Sequence, residues 1–197
     1  MTVPGSQPTS DSPAIFRLQD AERAGLPRGR LRGMVRRGEA TKVGRGLYRR
    51  VSDETELDTV ATVCARVPGA IVCLLTALLI HRIGTQLPHE VWIALDRKAR
   101  KPRVEALPVH IVRFSGPMLR YGIDQRLVQG VAVRITSPAR TVVDCFRYRN
   151  KIGIDVALEA LKDALRTRRT SVDAIVRAAQ ACRMDKVIRP YLEAIVA

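Results

Sequence analysis

The 197-residue sequence is poor in the residues that build metal, redox and base-stacking sites. Aromatic residues make up only 4% of the chain and are not interleaved with the basic ones, which disfavours binding of single-stranded nucleic acid by stacking. The four cysteines lie far apart with no CxxC pair, and the three histidines do not cluster with them. We therefore expect buried structural thiols and no metal or redox site.

Long apolar runs and a leader segment are lacking as well. The longest apolar run, residues 70–80, is far shorter than the about 20 residues that span a membrane. No basic segment followed by an apolar one stands near Met1. We expect a cytoplasmic protein without a membrane partner.

Catalytic motifs are missing too. The chain has no P-loop, nucleophile elbow, HExxH motif or kinase motif set. Asp96, Arg97 and Lys98 imitate the D-x-K of some nucleases, but such a site needs a second converging carboxylate, and Glu90 is a weak candidate for it. We interpret this segment as a charged loop, and we expect no catalytic residues, no enzymatic activity and no cofactor.

Arginine, in contrast, is abundant and unevenly distributed. Lys and Arg number 34 against 19 acidic residues, which gives a net charge of +15 and calls for a polyanionic partner. Of these cations 28 are arginines, a preference that suits bidentate contacts but that a GC-rich genome would also produce. Residues 17–50 hold eleven cations and three acids, which is typical of a surface that binds a phosphate backbone.

The glycines of this basic segment end helices and form turns at the positions typical of a winged helix-turn-helix. Two short helices, at residues 18–24 and 28–37, are predicted to end at Gly25 and Gly38. Two β-leaning stretches follow on either side of the glycine-rich turn at residues 44–46. Helix, turn, helix and hairpin is the order of a winged helix.

The remaining sequence predicts a larger, mixed domain. The fold class is α+β, with an N-terminal winged helix-turn-helix followed by a mixed α/β domain with a helical tail. An apolar helix is predicted at residues 71–83, strands at 89–95, 109–114 and 131–135, and helices at 138–148, 154–166, 171–182 and 187–196. We predict a disordered tail at residues 1–14, the winged helix at 15–52 and the second domain at 53–197. The second domain is predicted to begin with an amphipathic helix that runs to about residue 66, with Ser52 or Asp53 as its N-cap.

The second short helix is predicted to carry the DNA contacts. Leu31, Met34 and Val35 fall on one face, so its arginines point outward together with Gly29 and Gly33. These two glycines suit a close approach of the helix to DNA, and chance or loop closeness explains them equally well. The predicted DNA-binding residues are Arg28, Arg30, Arg32, Arg36 and Arg37 on the helix and Lys42, Arg45 and Arg49 in the wing.

Within that set, Arg28, Arg30 and Arg32 lie nearest the N-terminal end of the helix and are the candidates for base contacts in the major groove of double-stranded DNA. The wing would then meet phosphate or the adjacent minor groove. A merely solvated basic face is the alternative.

Two segments resemble a known family. One runs from Phe16-Arg17 through Ala24-Gly25-Leu26 and residues 28–38 to the Val43–Tyr48 segment, and it resembles the N-terminal winged helix of AbiEi antitoxins of type IV toxin-antitoxin systems. The other, residues 137–144 with the following helices, resembles that family's C-terminal antitoxin domain. The resemblance implies an antitoxin that binds inverted repeats in its own promoter, with a homodimer on DNA as one arrangement, and that represses its operon.

The resemblance also implies a partner, a nucleotidyltransferase-type toxin of the same operon countered by the C-terminal domain. Relatives carry a longer first helix where this sequence has Pro4, Pro8 and Pro13. Without that helix, the winged helix would need support from the C-terminal region or from dimerisation.

Two further questions stay open at this level. Arg140 and Asp144 are four residues apart on one helix and suit an internal ion pair, or alternatively a surface that faces the toxin. The alternatives for the function are an antitoxin enzyme that phosphorylates its toxin and a plain winged-helix transcription regulator.

Overall fold

The computed structural model describes residues 15–51, 56–104 and 107–196. The predicted tail at residues 1–14, the question of a first helix there, and the predicted caps Ser52 and Asp53 lie outside the described residues. Within the described residues, no helix combines the length and the hydropathy of a membrane-spanning segment.

The described chain divides into two compact units. Unit 1 contains the residues up to Arg66 together with Leu127–Ala132, and unit 2 contains Val67–Arg126 and the residues from Val133 onward. The predicted domain boundary between residues 52 and 53 stays a prediction. The elements of unit 1 are β1 (Ile15–Arg17), α1 (Leu18–Arg23), α2 (Arg28–Arg36), β2 (Ala40–Gly44), β3 (Leu47–Arg50) and α3 (Glu56–Arg66).

The two short helices of unit 1 are separated by the predicted glycine turn. Gly25 adopts a φ of +83°, which a side chain would disfavour, and the Leu26 amide returns to the Ala21 carbonyl at 2.8 Å. Pro27 then precedes α2 in extended conformation. The predicted helix-turn-helix is confirmed, with each helix one residue shorter at its C-terminal end than the sequence indicated.

The wing is a three-stranded antiparallel sheet in the order β1-β3-β2. Its register places Lys42 opposite Tyr48 and shifts before Gly44, as in a β-bulge. Gly46 alone of the two turn glycines takes a positive φ, +66°. The winged helix-turn-helix predicted from the sequence is therefore present.

The core of unit 1 draws on residues far apart in the chain. Ile15, Leu31 and Leu47 are buried, and α3 contributes a buried apolar face. The Ile15 amide donates to the carbonyl of Gln129, at 3.4 Å, so the Leu127–Ala132 segment closes on the first strand. Unit 1 therefore includes a segment, Leu127–Ala132, that begins sixty-one positions after Arg66 in the sequence.

Unit 2 is built on a five-stranded mixed sheet in the order β6-β5-β4-β8-β7, apart from the end of β7 and the start of β8, which belong to the Leu127–Ala132 segment of unit 1. Its strands β4 and β8 are parallel, β5 and β6 are parallel, and β4 and β5 are antiparallel. The elements are β4 (Ile71–Val72), α4 (Leu74–His81), β5 (Val91–Asp96), β6 (Val109–Phe114), β7 (Ile123–Val128), β8 (Val131–Thr136), α5 (Pro138–Arg147), α6 (Arg149–Ile152), α7 (Ile154–Arg166), α8 (Val172–Ala181) and α9 (Asp185–Val196).

Two strands of this sheet differ from the sequence prediction. Ile71 and Val72 form β4, a central strand, although the whole apolar run was predicted to be helical; a short buried strand and a buried helix cannot be told apart by periodicity. The strand β7 was not predicted. Four of its six residues are exposed, so it lacks the alternation that marks a half-buried strand.

The core of unit 2 surrounds α5. All residues from Ala139 to Phe146 are buried, and α4, α7 and α8 pack against this helix. The predicted burial of the thiols is confirmed, since all four cysteines are free and buried. Burial raises the pKa of the Cys64 thiol to about 12, so it is protonated at neutral pH.

Candidate nucleic-acid interface

The helix α2 exposes one side and packs by the other. Leu31 is only 1% exposed, whereas Val35 keeps 37% of its surface exposed. The predicted buried face is thus narrower than the pattern indicated, because Val35 stands in the last turn of a nine-residue helix and no further turn covers it. The arginines of α2 are exposed, as predicted.

Two of these arginines are held by carboxylates. Arg28 Nε lies 2.5 Å from Glu22 Oε1. Arg37 grips Glu39 with two hydrogen bonds, of 2.6 and 3.1 Å. Hydrogen bonding to Glu22 raises the pKa of Arg28, and both cations stay charged at any physiological pH. Their charge is partly compensated before any ligand arrives.

Arg30, Arg32 and Arg36 differ from that pair. Within the described ranges, none of the three makes a side-chain hydrogen bond or ion pair, although the charge of Arg30 contributes to lowering the pKa of Glu39. Arg32 and Arg36 stand four residues apart and share one face of the helix. These three guanidinium groups are the ones most available to an anionic partner.

The wing adds cations beside the helix. Lys42 and Arg45 are exposed, with Arg45 in the turn itself. Arg49 is part-buried on β3 and already interacts within the chain. Phe16 on β1 stacks on Tyr48 of the neighbouring strand β3, with ring centroids 6.2 Å apart, and this contact stiffens the pairing of these two strands. Of the predicted wing residues, Lys42 and Arg45 are therefore the freer ones.

Sequence reasoning missed one cation of this surface. Arg66, the last residue of α3, is exposed, and its Nε lies 3.4 Å from the point that a Cβ on Gly44 would occupy. It therefore stands beside the wing in unit 1. No local signal marks it, because Arg66 follows Gly44 by twenty-two positions in the sequence.

Arg140 and Asp144 occupy a different environment, in the core of unit 2. Both side chains are 0% exposed, and Arg140 Nε donates to Asp144 Oδ1 at 2.9 Å. Arg140 Nη1 also donates to the Tyr121 carbonyl at 2.8 Å, and its Cζ lies 5.1 Å from the centroid of the Phe114 ring. The predicted internal ion pair is confirmed, and a protein partner cannot touch either side chain in this structure.

Burial of this ion pair changes the pKa of Asp144. Desolvation raises the pKa of Asp144 to about 6, although the Arg140 guanidinium acts to lower it. The carboxylate is therefore mostly ionised at pH 7 and balances the buried guanidinium. This pair supports the core and displays no charge to solvent.

The segment around this pair, residues 137–144, is also structural. Ser137 caps α5 by accepting from the Arg140 amide at 3.4 Å, and Pro138 occupies the first turn, where its missing N–H costs nothing. Thr141 Oγ1 donates to the Thr136 carbonyl at 3.0 Å. The motif that carries the resemblance in this half thus starts a helix and fills a core.

The two carboxylates that would complete a nuclease-like metal site, Asp96 and Glu90, do not converge. Asp96 ends β5 and uses its carboxylate to accept from the Lys98 amide at 2.8 Å. Glu90 precedes the same strand and pairs with His110 at 3.3 Å. The two acidic residues are six positions apart along an extended segment, which spans about 20 Å, so they cannot share a metal ion. The charged-loop interpretation fits this geometry.

Comparison with known proteins bears on the N-terminal segment first. Residues 10–51 match the family model described as "Transcriptional regulator, AbiEi antitoxin". The match covers 42 of the 197 residues, so the similarity concerns this segment. The AbiEi match ends one residue after β3, so it covers the helix-turn-helix and the wing described above. This segment is thus similar to AbiEi antitoxin-type transcriptional regulators, as the resemblance in the sequence indicated.

The fold of the chain is similar to that of a solved structure. The crystal structure of the RV2827C protein from Mycobacterium tuberculosis aligns with a TM-score of 0.59, over 94% of this chain and 76% of that chain. The sequences are only 15% identical, so this similarity concerns the fold. The predicted α+β class is confirmed. No curated protein matches the sequence significantly.

Proposed function

We propose that this chain is an antitoxin that binds double-stranded DNA at its own promoter and represses a toxin-antitoxin operon. The observation that carries the proposal is the exposed arginine face of α2, set beside a cationic wing in a segment that matches AbiEi regulators. A helix-turn-helix positions such a helix for the major groove. The protein acts in the cytoplasm, by binding and without catalysis.

The arrangement suggests a division of labour among the cations. Arg30 and Arg32, toward the N-terminal end of α2, suit bidentate contacts to guanine O6 and N7, and Arg36 extends the same cationic surface. Lys42, Arg45 and Arg66 suit phosphate contacts, which position the protein without reading sequence. Inverted repeats would be matched by two copies of the chain related by twofold symmetry.

The second half of the proposal concerns the toxin. By resemblance, unit 2 counters a nucleotidyltransferase-type toxin encoded in the same operon. Because Arg140 and Asp144 are buried, neutralisation would depend on other residues of this unit. Coexpression of the full chain with the neighbouring gene tests this part: loss of toxicity supports it, and unchanged toxicity contradicts it.

The DNA-binding half is tested by fluorescence anisotropy with the chain's own upstream duplex and a scrambled duplex of equal composition. We expect preference for the upstream duplex and a linear fall of log affinity with log salt, with a slope of about 0.9 per phosphate contact. Affinity that is equal for both duplexes would contradict sequence-specific regulation.

A triple variant connects this binding to α2. Changing Arg30, Arg32 and Arg36 to Ala should lower the affinity by roughly thirtyfold or more, because Arg30 and Arg32 are each assigned a base contact and such a contact contributes about 1–3 kcal/mol. The matched control changes Arg120, Arg169 and Arg177 to Ala; these are exposed arginines of unit 2, and the change removes the same charge. Equal losses in both variants would mean that net charge, and not this surface, accounts for binding.

A further inference from the structure

Gly29 stands in the first turn of α2 at a position where glycine weakens the helix. Its φ is not among the positive values, so an alanine would adopt the same backbone. Glycine in a helix costs up to about 1 kcal/mol relative to alanine. The position is exposed, and no contact among the described residues offsets this loss of helix stability.

The other glycines of unit 1 have reasons inside the chain. Gly33 is buried beneath the side chain of Arg37. A Cβ at position 33 would lie 3.0 Å from Arg37 Nη1. A Cβ on Gly44 would meet Leu47 and Arg66 at 3.4–3.6 Å. The turn glycines have positive φ angles: Gly25, Gly38 and Gly46.

Gly29 has neither reason. A Cβ built on it meets no described atom of the chain within 4 Å. The sequence grouped Gly29 with Gly33 on one outward face, but the structure separates them: the guanidinium of Arg37 covers Gly33, whereas no described side chain covers Gly29. The described chain therefore supplies no contact that requires a glycine at position 29, whereas a surface packed against this face of α2 would supply one.

The surroundings of Gly29 indicate the chemistry of that ligand. Arg32 and Arg36 follow it by three and seven residues and therefore share its helix face. Both are exposed and make no ion pair within the described parts of the chain, while Arg28 is drawn to Glu22. A polyanion held by Arg32 and Arg36 would meet bare helix backbone at Gly29.

We infer that duplex DNA approaches α2 most closely at Gly29, in van der Waals contact with the helix backbone, and that Gly29 is a positioning residue for the recognition helix. Glycine is the residue that permits such an approach of backbone to a ligand. The inference rests on the proposed function and deepens it, since it specifies that the first turn of α2 lies deepest against the duplex.

The test combines stability with affinity. Gly29→Ala and Gly29→Leu should each raise the midpoint of thermal unfolding, because both residues favour the helix more than glycine does. Both should bind the upstream duplex more weakly, by about tenfold for Ala and by more for Leu, because added atoms at a close-packed contact push the surfaces apart. A glycine with a purely structural role would not give higher stability together with lower affinity.

The matched control is Gly69→Ala in unit 2. Gly69 also has no positive φ and no atom within 4 Å of its Cβ position. Its replacement should leave DNA affinity unchanged. Wild-type affinity in both Gly29 variants would overturn the inference while leaving the proposed function intact. If the unaltered protein has no preference for its upstream duplex, the proposed function fails, and the inference fails with it.

Discussion

The arginines of α2 and Arg140 of α5 share a residue type and a secondary structure, yet they have opposite surroundings. The α2 residues Arg30, Arg32 and Arg36 extend into solvent from a helix that covers a small sheet. Arg140 lies in a helix packed on every side, with a carboxylate one turn away and a backbone carbonyl as a second acceptor. What surrounds an arginine therefore decides whether its charge is available to a partner or already used within the fold.

The largest effect is expected where the buried charge loses its partner. Asp144→Ala should lower the free energy of unfolding at pH 7.5 by about 3–5 kcal/mol, because Arg140 would remain charged and buried without a counter-ion. Chemical denaturation of the full chain measures it. The double variant Arg140→Met, Asp144→Leu should recover part of the loss, since it removes both charges; a double variant less stable than the single one would contradict this account.

Removing an exposed arginine from α2 should give the reverse result, with little loss of stability and a clear loss of DNA affinity. Arg32→Ala should change the unfolding free energy by no more than about 0.5 kcal/mol, as is usual for exposed positions. It should weaken binding of the upstream duplex by about 1–3 kcal/mol if Arg32 reads a base. Denaturation and anisotropy on the same sample measure both quantities, and a large loss of stability without a loss of affinity would reverse the assignment of roles.

A smaller effect is expected from the paired arginines of unit 1. Glu22→Gln and Glu39→Gln release Arg28 and Arg37 and also remove a negative charge from the surface. Each should strengthen DNA binding by only a few-fold at low salt, because ion pairs between exposed side chains are weak and are screened by salt. Anisotropy at two salt concentrations checks the gain and its screening.

The matched control for this release is Asp185→Asn in unit 2. It frees Arg189 from an exposed pair of 2.8 Å but lies outside unit 1. We expect no change in DNA affinity. A gain equal to that of the Glu22 variant would mean that only the net charge matters.

The smallest effect concerns His81, buried in unit 2, whose Nε2 donates to the Thr136 carbonyl at 2.6 Å. Burial lowers the pKa of His81, aided by the charges of Arg126 and Arg169, while the bond to Thr136 and the charge of Asp124 raise it. The folded state therefore favours the neutral ring. Its stabilisation is fully present above about pH 6.5, the unfolded pKa, and is lost as the pH falls below it.

His81→Gln keeps a donor for the Thr136 carbonyl and removes this titration. The difference in unfolding free energy between the unaltered protein and the variant should shrink as the pH is lowered from about 7.5 to about 5.5. Denaturation curves at several pH values provide the measurement. A difference that is independent of pH would show that His81 does not titrate differently in the two states.

Much of the fold was predictable because its signals are local. Gly25 and Gly38 end helices through φ angles that other residues disfavour, and Ser137 with Pro138 starts one. The strand β7 was not predictable, because its residues are mostly exposed and so carry no period. The two-residue strand β4 was hidden inside an apolar run for the opposite reason.

The amino-acid order by itself determined the concentration of positive charge in residues 17–50, the succession of helix, turn, helix and hairpin, and the spacing that lets Arg140 reach Asp144. These features depend on neighbours along the chain, and the backbone preferences of single residues are enough to specify them. Only the tertiary structure decided which arginines are engaged, that Arg66 joins the wing, and that Gly29 is left open while Gly33 is covered. Those outcomes depend on side chains brought together by folding, and no pattern of adjacent residues encodes such distances.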